Sequence, residues 1–282
     1  MSPPDGRHPA FAIVRSQCAL IPTVFTALGA ILITVFGLSG DARSVFAPMM
    51  AQNGSIVVNT EIVLAVDVSA SMTPDEQALQ REGYIQALSS REFMQALKAN
   101  GNGRISITYF EWANVSDQKI IFSWRLIDGP QTAGAVAAEL ARAPYRRSSR
   151  TSISGGLMFA RSLFESSPYR GIRRVVDVSG DGANNDGPLV TLIRDEVLAK
   201  GITINGLPIM LNRPNLMNVN VEGLDLYYRD CVIGGPGAFV IPIKEREKVS
   251  EAIRNKLVLE VAGRTIAPQP TAAVSNVTRI SC

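Results

Sequence analysis

Ile62-Val63-Leu64-Ala65-Val66-Asp67-Val68-Ser69-Ala70-Ser71 is the stretch on which the reading of this chain turns. Five consecutive apolar residues with no polar alternation predict a strand covered on both faces, the kind found in parallel sheets with helices above and below. Where that strand ends, the chain presents one carboxylate and two hydroxyls. Oxygen donors of this type suit a hard divalent cation, Mg²⁺ first, with Mn²⁺ or Ca²⁺ as alternatives. Because hydroxyls are neutral, they leave much of the ion's charge in place, so the ion still takes an acidic oxygen from a partner. On its own, Asp-x-Ser-x-Ser reads equally well as a capped strand-to-helix turn.

Two further segments shift that balance. Arg150-Thr151-Ser152-Ile153-Ser154-Gly155-Gly156-Leu157 opens an apolar helical pattern through Ala160, Leu163 and Phe164, so Thr151 or Ser152 stands at a helix start that needs a hydroxyl cap. Val175-Val176-Asp177-Val178-Ser179-Gly180-Asp181-Gly182 is a second apolar strand ending in an acidic, glycine-flanked turn. In an open parallel α/β sheet the carboxyl ends of the strands line one crevice, where ligands bind. Three separate loops then bring Asp67, Ser69, Ser71, Thr151 and Asp181 together.

That set resembles the metal-ion-dependent adhesion site of the von Willebrand factor type A (vWA) domain. The family pattern of Asp-x-Ser-x-Ser, a distant Thr and a later Asp-Gly is matched at Asp67, Ser69, Ser71, Thr151 and Asp181. The resemblance implies that the two serines, and in some states the threonine, touch the metal directly, while the aspartates act through water. It covers roughly residues 56 to 262. The stretches Val178 to Gly187 and Cys231 to Val240 are more narrowly similar to a bacterial family of such domains, DUF1194, which carries no assigned activity.

The order of elements predicts an α/β fold with a doubly wound, Rossmann-like sheet of six strands, mainly parallel with one antiparallel edge strand. Strands read at 62–67, 104–111, 118–124, 172–178, 202–208 and 238–241. Helices read at 75–99, 131–142, 153–166, 188–200 and 244–261. Phe110 to Ile120 leaves room only for a turn, so the second and third strands form an antiparallel hairpin at an edge, whereas the other connections are long enough for right-handed crossovers. Met210 to Asp230 reads as an irregular surface insertion. A chain of 282 residues with 46% hydrophobic content buries a proper core, and the domain is set at 56–262 with a tail at 263–282.

Residues 1–42 stand outside that domain. Ala19 to Leu38 holds no charged residue and follows Arg7 and Arg15, the layout of a signal peptide or an N-terminal membrane anchor. Gly40-Asp41-Ala42 offers a cut after Ala42. Either outcome exports the domain, to the periplasm or anchored to the inner membrane facing it, with no membrane contact except through this segment if uncleaved. With Cys18 set aside, Cys231 and Cys282 remain; an even pair in an exported domain predicts a disulfide tethering the tail, with an exposed Cys282 thiol as the alternative. No cysteine or histidine spacing fits zinc, the only histidine being His8.

A formal charge of +3, with its basic residues scattered, excludes nucleic acid as the expected partner. Arg142, Arg146, Arg147 and Arg150 form the densest basic run, read either as a solvated loop or as electrostatic help for an acidic partner nearing the metal. Glu111, Arg150 and Asn184 are placed on the partner rim, although Glu111 also fits a core or hairpin role. With no histidine in the mature domain a Ser-His-Asp hydrolase is excluded, and Gly234-Gly235-Pro236-Gly237 precedes a strand, so it is no phosphate loop. The expected function is a non-catalytic, exported adhesion-type module that binds a divalent cation and an acidic group of another protein. The alternatives are a metal-assisted hydrolase or phosphotransferase, and a structural domain with an idle metal site.

Overall fold

The sequence stretch around Asp67 forms the end of β1 (Ile56–Asp67), whose last ten residues are all buried. Residues 55–211, 223–263 and 282 are described in the computed structural model, and all belong to one unit, Ala51–Cys282. The expected export segment at 1–42 and nearly all of the tail at 263–282 lie outside the described residues. Among the described residues no helix is long and apolar enough to cross a membrane.

From β1 the chain runs through α1 (Pro74–Leu88) and α2 (Arg91–Ala99) to β2 (Ile105–Trp112) and β3 (Gln118–Ile127). It continues through α3 (Pro130–Ala141), α4 (Ile153–Glu165), β4 (Tyr169–Gly180), α5 (Val190–Ala199) and β5 (Thr203–Pro208). After the short α6 (Leu224–Tyr227) and a wide π-helical turn at Tyr228–Val232, α7 (Val249–Ala262) is the last helix described. The sheet order is β3-β2-β1-β4-β5, with β2 and β3 antiparallel and every other pairing parallel. The chain leaves β1 toward β2 on one side and later enters β4 on the other. The crevice beyond the carboxyl ends of β1 and β4 is therefore the switch point of the sheet.

Alternation along β1 divides the core. Ile62, Leu64 and Val66 face a cluster with Tyr84 and Leu88 of α1, Phe93 of α2, Val136 of α3 and Ile253 and Leu257 of α7. Val63 and Ala65 face the other side, where Leu157 of α4, Val197 of α5, and Leu224, Tyr228 and Cys231 close the layer. The segment expected as a surface insertion thus ends in buried side chains.

Two expectations are corrected by backbone chemistry. The single helix expected at 75–99 is two, because Ser90 Oγ accepts from Phe93 N at 3.1 Å and starts α2 afresh after Leu88. The described residues form five strands instead of six. The chain at 239–243 does run beside β5, where Gly206 N donates to Phe239 O, Ile241 N to Gly206 O, Ile243 N to Pro208 O and Met210 N to Ile243 O. Pro208 has no N–H to give in the middle of that series, and the ladder breaks into isolated bridges at Gly206–Val240 and Ile209–Ile243.

Candidate metal centre

The parallel register places Val66 beside Ser179, so Asp67 lies level with Gly180 and next to Asp181. Asp67 turns back on its own loop, with Oδ1 accepting from Ser69 N at 2.6 Å. This is the Asp-turn chemistry that orders a short polar loop without a helix. Ser69 Oγ and Ser71 Oγ are 2.8 Å apart, and Ser71 Oγ donates to Asp181 Oδ1 at 2.6 Å. A hydrogen-bonded chain of oxygens therefore joins the two loops. Asp67 and Ser69 are its buried floor; the half-buried Ser71 and exposed Ala70 mark its open side.

Thr151 joins from the third loop. Its N–H donates to Asn185 Oδ1 at 2.9 Å and its carbonyl accepts from Asn185 N at 2.8 Å, which ties the start of α4 to the β4–α5 loop. A Cβ built on Gly182 would lie 3.7 Å from Thr151 Oγ1, so the hydroxyl sits against the Asp181-Gly182 turn. The helix cap is Ser152, whose Oγ accepts from Gly155 N at 3.1 Å, and Thr151 does not supply it.

Burial and then the neighbouring Asp181 charge push Asp67 up to about 8. Its Oδ2 is buried and, among the described residues, has no hydrogen-bond partner. An orphaned carboxylate oxygen facing a second carboxylate is the arrangement a cation relieves, since it removes both the repulsion and the unsatisfied acceptor. Only two carboxylates are present, and among the described residues no group of three or more His, Cys, Asp or Glu could hold a metal. The remaining donors are hydroxyls, so the set fits a hard, oxygen-seeking divalent ion.

Three rim residues are placed by the structure in different ways. Glu111 is not on the rim. Its side chain is 1% exposed, with Oε1 2.6 Å from Arg81 Nη2 and Oε2 3.2 Å from Arg146 Nε, so two arginines consume it beneath the surface. Asn184 is half-buried, its Oδ1 accepting from Ser154 N at 3.0 Å while Nδ2 donates to Asp186 O and Pro188 O. It braces the β4–α5 loop against α4. Arg150 is at the surface, its side chain 66% exposed and 3.1 Å from Asp186 Oδ1.

Sequence reasoning missed Tyr228. A Cβ on Gly180 would stand 2.8 Å from Asp67 Oδ2 and 3.0 Å from the Tyr228 hydroxyl, which puts that phenol at the back of the site. Burial first, then Asp67 and Asp181, hold its hydroxyl well above the ordinary range. No local pattern marks Tyr228, since it is delivered by a turn that follows residues read as irregular. The structure also joins Cys231, three residues on, to Cys282 in a disulfide with Cα atoms 5.7 Å apart.

This sheet order, with an oxygen cluster at the β1/β4 switch point, is the vWA fold. Solved structures agree on the fold. Proximal thread matrix protein 1 from the mussel byssus aligns with a TM-score of 0.53 at 14% identity, over 74% of this chain and 49% of that one. The pilus adhesin SpaC from Lactobacillus rhamnosus GG aligns with a TM-score of 0.54 at 13% identity, over 72% of this chain and 30% of that one. A further structure of the mussel protein, described as having a zinc-occupied MIDAS motif, aligns with a TM-score of 0.51 at 16% identity, over 74% and 49% of the two chains. The chain thus spans about half of the mussel protein and under a third of the adhesin. No curated protein sequence matches it. The family model described as "Protein of unknown function (DUF1194)" matches residues 57–265, and the chain belongs to that family.

Proposed function

We propose that this chain is an exported, non-catalytic protein-binding module. In this reading it holds a divalent cation through Asp67, Ser69, Ser71, Thr151 and Asp181 and presents it to an acidic group of a partner protein. The observation that carries the reading is the orphaned, buried Asp67 Oδ2 beside Asp181, at the floor of a chain of hydroxyls that opens toward solvent. A cation held there supplies an electrophilic position for an anionic oxygen.

The roles of the residues follow from their surroundings. Asp67, locked by Ser69 N, contributes charge from a fixed position, and Gly180 leaves the space its Oδ2 needs. Ser69 and Ser71 contribute neutral oxygens, which keep the net positive charge from being cancelled. Asn185 fixes the Thr151 backbone so that its hydroxyl stays against the Asp181 turn. The uncharged run from Ala19 to Leu38 supports export. One of the aligned proteins is a pilus adhesin and another has zinc in its MIDAS motif, which agrees with cation-dependent adhesion here.

Titration calorimetry with Mg²⁺ on the wild type and on Asp67→Asn tests the site. The wild type is expected to bind and the variant to lose most of its affinity. Equal binding by both, or none by the wild type, refutes the assignment. Capture of envelope proteins with Mg²⁺ and again with chelator then tests whether the ion serves a partner.

A further inference from the structure

Of the four arginines in the α3–α4 loop, the fold disposes of them unequally. Arg146 is committed to Glu111 and Asp117, the latter at 2.7 Å. Arg150 is paired with Asp186 yet remains mostly exposed. Arg147 is exposed and has no carboxylate partner among the described residues; its Nη2 donates to Ala70 O at 2.5 Å, in the middle of the Asp67–Ser71 loop. Neighbouring backbone holds the two loops together, with Ser148 N donating to Val68 O at 3.1 Å and a bridge between Ser69 and Ser148. The Arg147 guanidinium is thus fixed on the lip of the oxygen cluster.

Arg150 adds an independent sign. It is the only non-glycine residue among the described ones with positive φ, at 68°. Glycine or asparagine adopts that conformation at less cost, so the backbone that holds this arginine at the mouth is strained. The other exposed positions at the mouth, Ala70, Ala183 and Asn185, carry no charge. The lip is therefore a local positive edge in a chain of nearly balanced charge.

We propose that Arg147 and Arg150 form a second anion-binding element beside the cation site, so that the partner is an acidic peptide segment carrying at least two closely spaced carboxylates. One carboxylate meets the cation, on the reading given above, and a neighbouring one meets the guanidinium of Arg147, whose planar fork matches a carboxylate in two hydrogen bonds. Arg150 adds charge to the same edge.

The test uses the full-length chain and two fluorescent peptides, Gly-Ser-Gly-Asp-Gly-Ser-Gly and Gly-Asp-Asp-Glu-Asp-Asp-Gly, measured by anisotropy with Mg²⁺ and with chelator. The acidic peptide is expected to bind at least tenfold tighter, with a steeper loss in salt, since exposed charges are screened within about 10 Å at 0.1 M. Arg147→Gln should remove most of that ratio while Arg147→Lys keeps a larger part of it. Equal affinity for the two peptides, a ratio unchanged in Arg147→Gln, or binding of neither peptide overturns the inference. The two proposals fail separately. Arginine-dependent binding that survives chelator refutes the cation reading alone, and Mg²⁺-dependent binding indifferent to Arg147 refutes the arginine edge alone.

Discussion

At Asp67, placement and protonation are set by the same contacts. Its neighbours in the register and in the loop leave one oxygen satisfied and one orphaned, and the site reads as incomplete without a cation. In chelator at pH 7, Asp67→Asn is therefore expected to leave the melting temperature within about 2 °C of wild type, because Asp67, lifted to about 8, is already mostly protonated there. Excess Mg²⁺ at a hundred times its dissociation constant should stabilise the wild type by about 2.7 kcal/mol and the variant hardly at all. A large loss of apo stability in the variant, measured by thermal unfolding, would contradict this account. Gly180→Ala gives a sharper effect, since the added methyl meets Asp67 Oδ2 at 2.8 Å. It should cost about 1–3 kcal/mol in denaturant unfolding and abolish Mg²⁺ binding. The five oxygen positions were legible in the sequence because each follows its own local pattern. Glu111 fits either the rim or a core or hairpin role in sequence, and the choice depends on Arg81, thirty residues away on α1; Tyr228 was missed because nothing local announces it.

Among the elements, α7 carries a fully buried charged group into the core. Lys256 is fully buried, in contact with Asp177 of β4 and 2.7 Å from Glu260 Oε1, while Asn205 Nδ2 donates to Glu260 at 3.2 Å. Burial, and then the Asp177 charge, lift Glu260 from 4.5 to about 7. A carboxyl raised in the folded state holds a proton that the unfolded chain has released, so its stabilising effect is full below about pH 4.5 and is lost as pH rises through 7. In chelator, denaturant unfolding at pH 5 and pH 8 should show higher stability at pH 5, and Glu260→Gln should reduce the difference while leaving the part due to Asp67, which is raised in the same direction; a rise toward pH 8 would contradict the assignment. Lys256→Ala strands two acidic groups and is expected to cost about 3–5 kcal/mol in the same assay. The four-residue network was invisible in sequence because its members come from α7 and two strands. The strand-then-helix order was legible from apolar periodicity, whereas the break at Ser90 and the broken pairing of the expected sixth strand at Pro208 needed the backbone pairing itself.

On the scale of the whole molecule, the fold class followed from two strand-end motifs, one helix-start motif and one hairpin too short for a crossover. What periodicity could not supply was closure, the manner in which the last part of the chain is held. The Cys231–Cys282 bridge spans 51 residues of sequence. In the chain-entropy treatment a loop of that length contributes about 4 kcal/mol by restricting the unfolded chain, so reduction should lower the melting temperature by several degrees. A melting curve unmoved by reductant, with thiol counting to prove reduction, would show that the bridge does not stabilise the fold.

The same bridge bears on how this domain carries load. Tension applied between β1 and Cys282 crosses the sulfur–sulfur bond directly into the turn at Tyr228–Val232, bypassing every residue from 233 to 281, α7 among them. The pull then arrives three residues from the phenol that backs the oxygen cluster, while α7, on the other face of the sheet, stays slack.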